Sequence, residues 1–595
     1  MSETRGDPRI LPPICAKGDQ EVNQSEANPT APRLLNRRSF LSRSSGAAAA
    51  ITAAAIGLEP LIGGIRSTAQ AAEVGPLDGT ARRQRMYEIR EATAAFQRGL
   101  PVVPHPDNLD EMLYSTKIGN YSKGLPHNSL GEVDLTAYNS LVDALTTGAP
   151  ADFESLQLGC ANAANQQLLV NPQAGLAFDL EGTDSHQFAI PPAPAFASAE
   201  NAGEMVELYW MAHLRDVPFT DYDDNPLAEA ASEDLSRLSD FRGPKHGGRV
   251  KPSTLFRGFT PGDLRGPYLS QFLLLGTPFG AEFVERRMRT VFPGRDYLTD
   301  YSEWLESQNG CAPERGGQFD PVRRYIRNGR DLAQWVHVDV LFQAYFDAAL
   351  ILLTPPDPDD DETGGGIGCS LNPGNPYNGS RTQIGFGTFG GPYIATILCE
   401  VATRALKAIW FQKWFVHRRI RPEAFGGNIH NHLTRRGSYP ISTDVLNSRA
   451  LRRIHRQQNT FLLPQAFPEG SPLHPSYGAG HATVAGACVT ILKALFDERL
   501  EIPRPVIPIP SGRQLTRYRG PDADQLTVGG ELNKLAANVA TGRNFAGIHW
   551  RSDYTQSVLL GEAVAISLLR DQRATFNEAF GGFTFTKFDG TTITV

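Results

Sequence analysis

Apolar residues recur at three- and four-residue intervals through several long stretches of the chain. That spacing predicts amphipathic helices over residues 201–216, 333–353, 391–415, 481–496 and 531–540, with a further helix from about 553 to 570. Strand-like alternation is scarce. It is clearest over 583–595, where Asp589-Gly590 supplies the turn of a hairpin. The expected class is mainly α with a small C-terminal β-hairpin. Two Pro- and Gly-rich connectors interrupt the helical pattern, at 354–390 and 423–472, the second with an Arg-rich middle. A soft boundary in the first connector separates a helical scaffold over 72–353 from a region over 391–595 that holds the chemistry.

Length adds to this picture, because 595 residues exceed what one hydrophobic core usually organises, so two or more packed units are expected. The formal charge of −7 comes with no long basic block, so the stripe that grips nucleic-acid phosphates is missing and no nucleic acid is expected as partner. Any anion site must therefore be a local concentration of Lys and Arg.

Residues 1–71 read as an export segment rather than part of the fold. Arg37-Arg38-Ser39-Phe40-Leu41 is a twin-arginine sequence, an Ala-rich apolar stretch follows, and Ala69-Gln70-Ala71 offers a cleavage site before Ala72. A transmembrane anchor is the alternative, weakened by Glu59, Pro60 and Gly63-Gly64. The expectation is twin-arginine export to the periplasm or the exterior, with no membrane attachment afterwards. Of six cysteines, Cys15 would leave with this segment. Cys160, Cys311, Cys369, Cys399 and Cys488 remain, widely spaced and without a CxxC pair, which leaves disulfides open but unassigned.

Three motifs carry candidate chemistry. In the first, Trp410 and Lys413 are three residues apart and share a helix face, while Arg421 stands just before Pro422, read as a helix breaker. A helix dipole alone would favour such a basic C-terminal cluster. The second is His474-Pro475-Ser476-Tyr477-Gly478-Ala479-Gly480-His481, running into an apolar helix. Glycines at a helix start let backbone N–H groups approach an anion, and His481 at that terminus can donate to it or exchange a proton. His474 precedes the helix on a loop. In the third, Arg543 and His549 are six residues apart, so they converge only if Gly542 or Gly547 breaks the helix. Asp553, four residues beyond His549, can fix the imidazole tautomer. Three cations facing one another are unfavourable unless an anion neutralises them, and the Arg fork suits a tetrahedral oxyanion.

The order Lys…Arg-Pro, Gly-His, Arg…His…Asp resembles the vanadium-dependent haloperoxidases, which share a helical-bundle core with the type 2 phosphatidic acid phosphatase and bacterial acid phosphatase superfamily. The likeness is densest over 391–562, and 207–218 and 262–272 are similar to the N-terminal half of algal and cyanobacterial bromoperoxidases. The resemblance implies vanadate as cofactor. His549 would coordinate vanadium, Lys413, Arg421, Gly480, His481 and Arg543 would bind its oxygens, and His481, His474 and Lys413 would be catalytic. It also implies hydrogen peroxide and a halide as substrates, an organic acceptor for the oxidised halogen, and a homo-oligomer. The eight-residue Lys413–Arg421 spacing, His474 and Trp410 favour bromide, with iodide as the easier halide. One position departs: Ala479 replaces the family's usual Ser, removing one hydroxyl, worth on the order of 1 kcal/mol, from the oxyanion's surroundings.

Two rivals use the same residues. A secreted acid phosphatase would use His549 as nucleophile and His481 as acid, and a non-catalytic oxyanion-binding structural protein would rest on Ala479. Elsewhere, Asp357, Asp359, Asp360, Asp361 and Glu362 could bind Ca2+, although a solvated acidic loop fits better. His430-Asn431-His432 lacks a third ligand at zinc-like spacing and reads as a polar loop.

Overall fold

Thirteen helices of eight or more residues stand among the described residues: α1 (Gly79–Arg98), α2 (Leu135–Thr147), α3 (Ala199–Leu214), α4 (Pro226–Leu235), α5 (Tyr301–Gln308), α6 (Gly329–Val338), α7 (Gln343–Leu353), α8 (Gly391–Phe411), α9 (Pro422–Leu433), α10 (Arg449–Gln458), α11 (Gly480–Leu495), α12 (Val528–Phe545) and α13 (Arg551–Arg573). The computed structural model describes residues 77–356 and 365–595. The export segment and the acidic run 357–362 thus lie outside the described residues. Four two-stranded antiparallel sheets complete the fold, including Thr584–Thr586 paired with Thr592–Thr594 as the alternation predicts. The other three are pairs of three- to six-residue strands, too short for a pattern to reveal.

The helix α11 is the centre of the site-bearing region. Every one of its residues but His481 is buried, and α8, α12 and α13 pack around it. Glycines set the closest approach: a Cβ on Gly486 would lie 2.1 Å from Val558 O, and one on Gly561 would lie 2.0 Å from Thr483 O. Only the absence of a side chain lets α11 and α13 touch backbone to backbone. Chain length predicts separate units, yet the described residues form one, because α6 packs on α12 and α7 on both α8 and α11. One principal core accordingly runs from Phe196 to Val595, on both sides of the 354–390 connector.

Several local expectations are corrected. The continuous helix over 333–353 is two helices bent by 98°, because Asp339 is extended (φ −64°, ψ 148°) and its side chain is engaged elsewhere. Half of the 423–472 connector is helical. Pro422 does not stop a helix but occupies the first turn of α9, where its missing N–H is harmless. His430 and His432 therefore sit on a helix rather than a loop. His430 Nδ1 meets Thr460 Oγ1 at 3.1 Å, and His432 Nδ1 accepts the Tyr439 N–H at 3.2 Å. The 531–540 helix extends to Val528–Phe545 and passes unbroken through Gly542.

Candidate active site

The first wall grows from the end of α8. Regular geometry fails there, and Gln412–His417 widen into a π-helical turn before Arg418 reverses the chain in a left-handed conformation (φ +36°). The widened turn buries Lys413 completely (0% exposed). Its Nζ lies 4.7 Å from the centre of the Trp410 ring, consistent with the shared helix face, and donates to His474 Nδ1 at 2.8 Å. Arg421 follows as the N-cap of α9. Its guanidinium donates to His474 O (2.9 Å), Ile548 O (2.8 Å), His474 Nδ1 (2.9 Å) and His549 Nε2 (3.0 Å).

The second wall is the loop ahead of α11 and its first turn. Ala479 is the N-cap and gives the helix no side-chain cap, so the backbone N–H groups of that turn are left for another acceptor. The Ala479 N–H itself donates to Ser557 Oγ at 2.9 Å. Gly480 is pressed under Trp410, since a Cβ there would stand 3.0 Å from the indole. The side chain of His481 is 20% exposed, and its Nε2 meets Asp339 Oδ1 at 3.0 Å.

The third wall is the α12–α13 junction. Arg543 lies in the last turn of α12 and donates to Val336 O at 2.6 Å. Gly547 then adopts φ +85°, which breaks the helix and turns His549 back toward Arg421. His549 Nδ1 donates to Asp553 Oδ2 at 2.7 Å. The same oxygen accepts the Trp550 N–H at 3.1 Å and the Ser476 hydroxyl, while Oδ1 takes Arg419 Nη1 at 3.0 Å. Asp553 thus joins all three motifs.

Electrostatics follow from burial. Desolvation, reinforced by neighbouring cations, holds Lys413 well below its ordinary range, and desolvation lowers both Arg421 and Arg543 to about 10. Among the described residues none of these three cations has a carboxylate ion-pair partner, and Arg543 Nε is buried without any acceptor. His474 and His549 are both pushed well below the imidazole range, first by burial and then by the adjoining Lys413 and Arg421 charges. Both are neutral at ordinary pH. Lysine and arginine can only donate, so His474 Nδ1 accepts from them and its 3.2 Å approach to Pro475 O is no hydrogen bond. In His549 the proton sits on Nδ1, facing Asp553, and the Nε2 lone pair faces the pocket.

The structure therefore gathers Trp410, Lys413, Arg421, His474, Gly480, His549 and Asp553 into one contact network, with Ala479 and His481 flanking Gly480, while Arg543 acts on Lys413, Arg421 and His549 through its charge. Three members escaped sequence reasoning. Asp339 stands 142 residues from the histidine it contacts. Arg419 and Ser476 lie inside the motifs but carry no spacing signal. They hold Asp553 from opposite sides, and Arg419 is itself anchored by Glu204 at 2.8 Å and lies over the Trp550 ring.

The chain is similar to known proteins over most of its length. Residues 444–578 match the family model of the VCPO second helical-bundle domain. A vanadium-dependent bromoperoxidase of Corallina pilulifera is 36% identical over 87% of this chain and 98% of its own length, and one of Ascophyllum nodosum is 37% identical over 80% and 86%. The solved homohexameric vanadate-dependent bromoperoxidase AnII of Ascophyllum nodosum superposes with a TM-score of 0.80 at 30% identity, covering 90% of this chain and 94% of that one. The chain belongs to the vanadium-dependent bromoperoxidase family.

Proposed function

We propose that this enzyme oxidises bromide, and the more easily oxidised iodide, with hydrogen peroxide in a vanadate-loaded pocket. The observation that carries the reading is the trio Lys413, Arg421 and Arg543, buried without ion-paired carboxylates beside the lone pair of His549 Nε2, which Arg421 meets at 3.0 Å. An anion among such a trio stabilises it. A tetrahedral oxyanion fits that donor set: two guanidinium forks, one ammonium, the uncapped N–H groups at Gly480 and the orphaned Arg543 Nε. Vanadium would be held by His549 Nε2, and vanadate oxygens by Lys413, Arg421, Gly480, His481 and Arg543. When bound, vanadate supplies Lewis acidity that activates peroxide without a change of its own oxidation state.

The chain's own groups supply the rest. Bromide, hydrogen peroxide and one proton give hypobromous acid and water, so each turnover takes up a proton. His474 and His549 are held neutral with their pocket-facing lone pairs engaged, which leaves His481, partly exposed and oriented by Asp339, to deliver it. Lys413 polarises the peroxide, and His474 aims Lys413 and Arg421 by accepting from both. The hypobromous acid then modifies an organic acceptor.

Further parts of this reading concern the whole protein. Twin-arginine export follows from Arg37-Arg38, homo-oligomer formation is supported by the homohexameric Ascophyllum protein, and the carboxylates of 357–362 offer hard oxygen ligands to Ca2+. The test is to load purified protein with vanadate and measure peroxide-dependent bromination alongside aryl phosphate hydrolysis. Bromination is expected. Hydrolysis without bromination would replace the reading with the phosphatase, and neither activity would favour oxyanion storage.

A further inference from the structure

Outside the pocket, the loop 159–171 is stitched to the loop after α5 by an unusual number of ties. Cys160 and Cys311 form a disulfide across 151 residues. Beside it Gln167 N donates to Gly310 O (2.9 Å) and Ala312 N to Asn165 O (2.7 Å). The Gln166 side chain closes the stitch by accepting the Cys160 N–H (2.7 Å) and donating to Gln167 O (2.6 Å). Three residues on, the strap reaches the active site through backbone atoms alone. Val170 N donates to Leu473 O at 2.9 Å, next to His474, and Val170 O accepts the indole N–H of Trp410 at 3.1 Å. Trp410 in turn covers Gly480, lies over the Lys413 ammonium and contacts the His474 ring at 4.9 Å.

We propose that this disulfide-anchored strap is a positioning element of the oxyanion pocket, acting through the Val170–Trp410 hydrogen bond. Two pocket-forming segments, α8 and the loop before α11, are held at a fixed separation by the backbone of one residue, Val170, whose own place is set by Gln166 and the Cys160–Cys311 bond. Release of the strap frees the indole to tilt. Lys413 then loses the aromatic face beneath it, and the Gly480 N–H loses its cover from water, so the donors meet an oxyanion less well prepared. Val170 never touches the anion.

The inference rests on the oxyanion reading of the pocket, and the test separates the two. Orthovanadate and, separately, inorganic phosphate are titrated calorimetrically into the metal-free full-length protein, with thermal unfolding recorded in parallel. If the unaltered protein binds neither anion, the pocket reading fails first. If it binds, Gln166→Ala, which keeps the disulfide, and Cys160→Ser/Cys311→Ser are each expected to weaken binding roughly fivefold, the worth of one hydrogen bond. Trp410→Phe, which keeps a ring but has no N–H, is expected to do the same. Combined with Trp410→Phe, the strap variants should add nothing further. Strap variants that melt earlier yet bind both anions normally would overturn the proposal, as would effects that multiply with Trp410→Phe. Should the double cysteine variant fail to fold, Gln166→Ala decides alone.

Discussion

Asp553 accepts the Nδ1–H of His549 at 2.7 Å, and this one bond decides which ring nitrogen faces the pocket. Reversal of the tautomer would present an N–H where a lone pair is needed to hold a metal. The carboxylate also ties down Arg419 and Ser476, so it aligns the three motifs as well as the imidazole.

Replacement of Asp553 by Ala is therefore expected to affect folding and binding together. Loss of one member of a buried ion pair is worth about 3–5 kcal/mol, and loss of the group orienting a metal-binding histidine weakens metal affinity roughly 10- to 100-fold. Denaturant unfolding and vanadate titration measure the two separately. Normal affinity in a destabilised variant would show that the tautomer is set elsewhere.

Ala479→Ser should improve the enzyme. The position is the N-cap of α11 and currently offers no side-chain acceptor, so serine would satisfy a first-turn N–H, worth about 1 kcal/mol, or donate its hydroxyl to an oxyanion oxygen. We expect a higher melting temperature, a faster bromide turnover, or both. A variant unchanged in both would mean that another donor already takes this role.

Oxyanions should stabilise the folded protein, because none of the three buried cations has an ion-paired carboxylate among the described residues. At a vanadate or phosphate concentration a hundred times its Kd, linkage gives about 2.7 kcal/mol. Thermal-shift measurement is the check, and Lys413→Met should shrink the shift. Equal shifts in the unaltered protein and the variant would place the anion elsewhere.

Acid should destabilise the fold through its buried neutral histidines. Burial lowers His127 and His213 to about 4 and His417 to about 3. These folded-state values lie below the unfolded value of 6.5, so between them the unfolded chain binds more protons and stability rises with pH. The same stability is lost as pH falls from 6.5 toward 4, by about 2 kcal/mol per histidine at pH 5. Urea unfolding at pH 7 and pH 5 tests this. His417→Gln should flatten the dependence, since neither nitrogen of His417 has a hydrogen-bond partner among the described residues.

Much of the site is legible in the sequence because its parts are local. The three-residue step from Trp410 to Lys413, the four-residue step from His549 to Asp553 and the Gly-rich start of α11 each carry their geometry in their spacing. Gly547 is legible as a break, although Gly542 looks the same and is helical. Pairings set by tertiary packing are not legible. The His481–Asp339 contact depends on a 98° bend that helical periodicity across 333–353 conceals. The π-helical turn that buries Lys413 has no composition of its own, and Pro422 looks alike whether it ends a helix or begins one.

The tip of α6 gives this architecture a consequence for engineering. Val336 O takes Arg543 and Asp339 takes His481, so two of the pocket's functional side chains are seated by residues that precede the connector. The C-terminal helices are consequently not a transplantable cassette. A chimera that grafts them onto a foreign N-terminal half inherits the pocket's cations and imidazoles but must also import the Val336–Asp339 corner. A shuffling experiment should find its crossover point upstream of Gly329 rather than in the connector itself.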